Sequence, residues 1–207
     1  MAQFYILSVY QQAESFLESF RDEHPTSKQW RYSSSEPLLL NILKNIGKEL
    51  ETNLIQVGKY RFEVFDYYRL VRNRFMHAEI DEKRLNKRFA EVRLFSQEIQ
   101  REYRISSVPK RYEEISFDDF LLFSRVTKDI ALALCEIGRP NNPELVEMVL
   151  EFSKQEKHGL RLSSLMKLKN NPSRLNNALY NVVQRLYRLG KTEAQSVVEG
   201  LSARLRN

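Results

Sequence analysis

Glycine and proline are scarce in this chain, and they separate long stretches whose apolar residues recur every three or four positions. Six Gly and six Pro occur among 207 residues. The recurrence is that of one face of an α-helix, whereas no segment shows the sustained two-residue alternation of a strand or the Asn-Gly turn of a hairpin. The sequence therefore predicts an all-α fold.

Four long helices are predicted before residue 105. Pro25 follows the first of them, Gly58 separates the second from the third, and Pro109 separates the fourth from the rest of the chain. The predicted helices run from about Phe4 to Glu23, from a start at Ser35 and Pro37 to just before Gly58, from Lys59 to His77, and from about Asp81 to Tyr103. Together they predict a four-helix-bundle core over residues 1–105.

Residues 106–207 are predicted to form a basic, helical C-terminal extension, either within the same compact domain or added to it. Ser116 and Asp119 have the spacing of a capping box at the start of an apolar helix. The segment "GRPNNP" ends that helix, and shorter helical pieces follow. No motif in this region indicates a particular chemistry.

The positive charge of the chain is concentrated near its C-terminus. The net charge is +6, and the segment from Lys154 to the end contains eleven Lys or Arg and three Glu, which gives that segment +8. Such a surface either binds a polyanion or is simply a solvated helical face, and the sequence leaves both open. If RNA is the polyanion, the candidate contacts are Lys167, Lys169, Arg185 and Arg188.

Several other classes of protein are disfavoured. The apolar runs are too short to cross a bilayer, and the N-terminus lacks the features of a signal peptide, so a soluble cytoplasmic protein with no membrane association is expected. The single Cys135 cannot form an internal disulfide and is expected in the core. With three His and one Cys, no cofactor or transition-metal site is predicted, although carboxylates alone could still bind Mg²⁺.

The segment "VRNRFMHAEIDE" contains one of the three histidines. Arg69, Asn73 and His77 are spaced by four and would form one row on a continuous helix. Arg72 and His77 are five residues apart, which places them roughly 140° apart around an undistorted helix. Both can serve one small site only if the helix ends near Met76, or if a second chain supplies the missing residue. The other two histidines, His24 and His158, are predicted to lie at helix ends.

The residue types around His77 suit phosphodiester cleavage. Histidine exchanges protons near neutral pH, and arginine offers a permanent planar charge to phosphate oxygens. An asparagine can orient the imidazole or hold the substrate. RNA carries its own nucleophile, the 2′-hydroxyl. The simpler interpretation, a solvated charged helix end, also fits the spacing alone. Nearby Arg69 and Arg74 are further candidates for binding RNA.

The stretch "RNRFMH", Arg72 to His77, has the form R-N-x-x-x-H and resembles the motif of HEPN-domain ribonucleases, the higher eukaryote and prokaryote nucleotide-binding superfamily. The resemblance implies a helical bundle with the motif near the end of a long core helix. It also implies metal-independent endoribonuclease activity in a homodimer, with the motifs of two chains in one composite cleft. His77 would be the general acid/base, Arg72 would bind the scissile phosphate, and Asn73 would support them.

The same resemblance implies a role as a toxin or as an abortive-infection or antiviral effector, with an antitoxin or defence-system protein as partner. Some toxins of the superfamily carry a tyrosine two residues after the histidine, which a partner nucleotidyltransferase modifies. Glu79 occupies that position here, which argues against this form of regulation. The competing hypothesis is a non-catalytic helical module that binds RNA or protein, including a regulatory or antitoxin subunit.

Overall fold

The chain is helical throughout the part that the structure describes. The structure is a computed structural model, and it describes residues 2–47, 49–77, 82–105, 109–156 and 160–206. Those residues form eleven α-helices and two short 3-10 helices and contain no strand, which confirms the predicted all-α class. The α-helices are α1 (Ala2–Glu23), α2 (Leu38–Asn45), α3 (Leu50–Val57), α4 (Lys59–Met76), α5 (Glu82–Arg93), α6 (Ser96–Tyr103), α7 (Phe117–Ile137), α8 (Asn142–Lys154), α9 (Leu162–Met166), α10 (Pro172–Tyr187) and α11 (Lys191–Arg206).

The chain divides into two compact units between Arg139 and Pro140. The boundary predicted at residue 105 differs from this division, because α7 belongs to the first unit. Its buried residues Leu122, Phe123 and Val126 lie in the same apolar cluster as those of α1 and α4. The second unit has an apolar cluster of its own, built from α8 to α11.

The second predicted helix is two helices, because the chain turns after Asn45. Gly47 has a φ of +55°, a left-handed conformation that favours glycine. The side-chain amide of buried Asn53 donates hydrogen bonds to the carbonyls of Leu43 and Ile46, both at 2.8 Å. These bonds satisfy carbonyls that the end of α2 leaves without helical partners. Ser35 does not cap this helix, since α2 begins one residue after Pro37.

The fourth predicted helix is also two helices. A turn at Leu94 and Phe95 separates α5 from α6, and Leu94 is 80% exposed. Apolar residues on both sides, including Val92 and Ile99, are fully buried. The helical spacing of apolar residues therefore continues across this turn, so the sequence does not reveal that the segment forms two helices. The predicted start at Asp81 lies outside the described residues.

Helix α4 packs against α1, α5 and α7, and it contributes most to the core of the first unit. Its fully or almost fully buried side chains include Val64, Phe65, Tyr67, Tyr68, Leu70 and Val71. The Tyr68 hydroxyl donates a 2.8 Å hydrogen bond to Oδ1 of buried Asp119. Asp119 and Ser116 form the predicted capping box at the start of α7. Burial, together with the Asp119 carboxylate, raises the pKa of Tyr68 well above its usual range, so the hydroxyl remains a donor.

The predictions for the two histidines at helix ends and for Cys135 have different outcomes. His24 directly follows α1, as predicted, whereas His158 lies outside the described residues. Cys135 is exposed and is not a core residue. It is one position after Leu134, the last buried residue of α7, and one helical step of about 100° turns its side chain away from the core. None of the described helices is both long and apolar enough to cross a lipid bilayer.

Candidate active site

Helix α4 ends at Met76, and the backbone of His77 is extended, with φ −134° and ψ 107°. The His77 N–H still donates a 2.8 Å hydrogen bond to the carbonyl of Asn73. The imidazole is exposed and makes no hydrogen bond to a described residue. The helix thus ends near Met76, which was one of the two conditions for Arg72 and His77 to serve one site. Residues 78–81, which include Glu79, lie outside the described residues.

Arg72 is half-buried on the last turns of α4 and is held by uncharged groups. Its guanidinium carbon lies 5.5 Å from the centroid of the Tyr10 ring on α1, a cation–π distance. Nη1 donates a 3.1 Å hydrogen bond to Oδ1 of Asn73. Nε is buried and has no hydrogen-bond partner among the residues that the structure describes. No carboxylate of a described residue lies within ion-pair distance of Arg72, so its charge is not neutralised there.

The neighbouring arginines are neutralised by carboxylates. Asp66 accepts a 2.7 Å hydrogen bond at Oδ1 from Nε of Arg69, and its Oδ2 lies 2.9 Å from Nε of Arg88. Arg88 also pairs with Glu63 and Glu91. Arg69 has a side chain only 12% exposed, so it belongs to this ion cluster between α4 and α5. The expectation that Arg69 contacts RNA does not agree with this burial.

Tyr10 supplies a neutral ring beneath Arg72. Burial, with a smaller contribution from Glu14, raises the pKa of Tyr10 to about 12, and this outweighs the opposite effect of Arg69 and Arg72. The phenol therefore stays protonated near neutral pH. A neutral aromatic face attracts a cation without cancelling its charge. Sequence analysis did not single out Tyr10, because the contact joins residues that lie far apart in the chain.

Asn73 connects the two motif residues. Its backbone carbonyl accepts the hydrogen bond from His77, and its side-chain oxygen accepts the one from Arg72. The Arg72 and His77 side chains, both described, make no hydrogen bond to each other. An uncompensated cation and an exposed imidazole therefore lie at the end of one helix. Arg74, on the same turn, is partly exposed.

An exposed aromatic patch lies at the ends of α1, α4 and α7. We define it as Phe4, Tyr5, Phe75, Met76, Phe117 and Phe120. Phe4 packs edge-on against Phe75, with ring centroids 5.0 Å apart, and Tyr5 lies 5.3 Å from Phe120. Phe4 is 60% exposed, and Tyr5, Met76 and Phe117 are about half exposed.

The remaining predicted RNA contacts all lie in the second unit. Lys167 follows α9, Lys169 lies in the turn before α10, Arg185 is on α10, and Arg188 ends that helix. They thus belong to a different compact unit from Arg72 and His77. Comparison of the chain with protein-family models, with curated proteins and with solved structures gave no match.

Proposed function

We propose that this protein is a metal-independent endoribonuclease of the HEPN type that acts as a toxin or as an antiviral defence effector. One observation carries the proposal: Asn73 holds an uncompensated Arg72 while an exposed His77 follows directly at the end of α4. A planar cationic donor and an imidazole, which can accept and donate a proton, suit the cleavage of a phosphodiester. The R-N-x-x-x-H pattern adds the resemblance to that superfamily.

In the proposed reaction, RNA supplies the nucleophile. The 2′-hydroxyl oxygen bonds to the adjacent phosphorus while the bond from phosphorus to the 5′-oxygen breaks. The 2′-hydroxyl loses a proton, and the departing 5′-oxygen gains one. His77 serves as the proton carrier, and Arg72 binds the non-bridging oxygens, on which negative charge increases. The products are a 2′,3′-cyclic phosphate and a 5′-hydroxyl.

A homodimer is part of the proposal. Two chains would place two His77 side chains at one cleft, so that one accepts a proton while the other donates. The aromatic patch supports this, because Phe, Tyr and Met are enriched in protein interfaces and this patch adjoins the motif at Phe75 and Met76.

The central experiment is cleavage of total cellular RNA by purified protein in EDTA. We expect fragments that end in a 2′,3′-cyclic phosphate and begin with a 5′-hydroxyl, because the 2′-hydroxyl is the proposed nucleophile. The ends are identified by mass spectrometry and by their resistance to ligation until polynucleotide kinase has removed the cyclic phosphate and phosphorylated the 5′-hydroxyl. A parallel reaction with added Mg²⁺ should give the same fragments. Cleavage that EDTA abolishes, or fragments with 3′-hydroxyl ends, would contradict the proposal.

The dimer gives a separate prediction. Phe4→Glu should shift the protein from two chains to one, because it places a charge in the apolar centre of the proposed interface. Analytical ultracentrifugation at micromolar concentration measures this against the 24.6 kDa mass of one chain. Leu94→Glu is the matched control, since Leu94 is an even more exposed apolar residue of the first unit, outside the patch. Wild-type protein that sediments as one chain with RNA present would rule out the dimer.

A non-catalytic module that binds RNA or protein is the second candidate function, as a regulatory or antitoxin subunit would be. The observation that favours it is in the second unit, where several exposed cations have no ion pair with any described residue. The same metal-free assay separates the two candidates. RNA that is bound but remains intact after prolonged incubation would support the module.

A further inference from the structure

The second unit contains a long segment without acidic residues. Residues 160–192 include seven Lys or Arg and no Asp or Glu. This segment spans α9, the turn that follows it, and all of α10. Helices α8 and α11 carry all the glutamates of the unit except Glu156, which follows α8; they include Glu144, Glu147 and Glu193. The positive charge of the unit is therefore concentrated at α9 and α10.

Helix α10 has a buried face and an exposed polar face. Leu175, Leu179 and Val183 are fully buried in the core of the second unit. The exposed face carries, in order, Arg174, Asn177, Asn181 and Arg185. These four side chains lie within about 80° of the helix circumference, opposite Leu179, and extend over about 16 Å at the usual helical rise. Arg188, also exposed, continues the row just beyond the helix.

Four cations on or beside this face are not neutralised by carboxylates of the described residues. Lys167, Lys169, Arg174 and Arg188 make no ion pair with any residue that the structure describes. Elsewhere in the unit, Arg161 pairs with Glu156 at 3.6 Å and Arg204 with Glu147 at 3.0 Å. We call Lys167, Lys169, Arg174, Asn177, Asn181, Arg185 and Arg188 the α10 surface. Its positive potential is thus available to an anionic ligand.

The residue types of the α10 surface favour a nucleic acid over other polyanions. Arginine forks bind phosphate oxygens, and the row places two asparagines between arginines. An asparagine amide both donates and accepts, which allows bidentate recognition of an adenine edge. A membrane-binding helix would instead present large apolar side chains at the interface. An acidic protein partner would pair with the cations but would not require the asparagine side chains.

We propose that the α10 surface binds single-stranded RNA, with its cations on phosphates and Asn177 and Asn181 on base edges. Base edges are accessible in unpaired RNA, whereas the deep, narrow major groove of an RNA duplex does not admit side chains. The choice of RNA over DNA rests on the proposed ribonuclease function. The α10 surface then holds the substrate through a unit other than the one that carries Arg72 and His77.

The test is RNA binding by the full chain carrying His77→Ala, so that the ligand stays intact. Fluorescence anisotropy in EDTA measures its affinity for a labelled, unstructured RNA of mixed sequence across a range of salt concentrations. The first variant adds Arg174→Glu and Arg188→Glu, both at exposed positions. The matched control adds Arg161→Glu and Arg204→Glu, which change the net charge equally at exposed, ion-paired arginines. Circular dichroism verifies that both remain helical.

We expect the α10 variant to bind RNA at least about tenfold more weakly than the control, because two phosphate contacts are lost. The slope of log affinity against log salt concentration should become shallower by about 1.4. Each of the two lost phosphate contacts contributes about 0.7 on a single strand. A third variant, Asn177→Ala with Asn181→Ala, should lose any preference for adenine-rich over uridine-rich RNA while keeping the salt slope.

Two results would overturn the inference: equal RNA affinity for the α10 variant and the control, or duplex DNA bound as tightly as single-stranded RNA by the parent. Both are independent of the cleavage assay. If the wild-type protein binds RNA through the α10 surface but never cuts it, the proposed ribonuclease function is rejected. The proposal that the α10 surface binds RNA is then retained. Cleavage of RNA by the wild-type protein, together with equal RNA affinity for the α10 variant and the control, would reject the α10 surface and retain the ribonuclease.

Discussion

Replacing His77 by alanine is expected to slow RNA cleavage by about 10²–10⁴-fold, the usual contribution of a positioned acid/base group. The folded state should change little, by less than about 0.5 kcal/mol, because this exposed side chain makes no hydrogen bond to a described residue. Single-turnover cleavage of a labelled RNA in EDTA measures the rate. Urea unfolding, followed by circular dichroism, measures the stability.

The control for this prediction is a histidine at the end of another helix. His24 directly follows α1 and contacts Thr26, so His24→Gln changes a residue of the same type in a different part of the first unit. That variant should cut at the parental rate once its folded fraction is matched. A His77→Ala protein that cuts RNA as fast as its parent would remove His77 from the proposed chemistry.

Replacing Arg72 by alanine should lower kcat/KM by about 10²–10³-fold, as expected when a donor to a developing anionic oxygen is lost. Arg72→Lys should restore only part of that rate, because an ammonium lacks the planar fork that binds two phosphate oxygens. Both variants should also lose roughly 1 kcal/mol of stability, since the guanidinium packs over the Tyr10 ring. Rates are therefore compared at equal folded fraction, which urea unfolding determines for each variant.

Two neighbours of Arg72 serve as comparisons. Asn73→Ala removes the oxygen that holds Nη1 of Arg72, and it should reduce the rate less than Arg72→Ala does. Arg69→Ala removes one of the two partners of the buried Asp66 carboxylate, which keeps Arg88, so it should destabilise the fold by about 1.5–3 kcal/mol and leave the activity of the folded fraction intact. Full activity in Arg72→Lys would show that charge alone is enough and that the fork has no role.

The sequence predicted well the helices whose ends are set by local chemistry. Helix α4 was expected from Lys59 to His77 and ends at Met76, and α7 starts at the capping box of Ser116 and Asp119. Glycine, proline and capping residues act within a few positions, so they are visible in the sequence. The break after α2 was missed because its stabilising bonds come from Asn53, which is eight residues beyond Asn45.

Only the part of the candidate site that lies within one short segment of the chain was predictable from the sequence. The order of Arg72, Asn73 and His77, and the helix end near them, follow from one short segment. The ring of Tyr10 under Arg72 and the burial of Arg69 depend on how α1 and α5 pack against α4. Such contacts join residues distant in sequence, and helical periodicity contains no information about them. For the same reason, the sequence does not reveal that α7 packs into one apolar cluster with α1 and α4.

The separation of the two cores has an evolutionary consequence. Among the described residues, the first cluster ends with Leu134 and the second begins with Leu145, and no buried apolar side chain belongs to both. A change of volume at Leu179 is therefore compensated by neighbours within its own cluster, with no demand on the packing around Tyr68. Selection can thus remodel one core while the other is inherited unchanged. Recombination near Pro140 could exchange a whole unit together with its own apolar core between lineages.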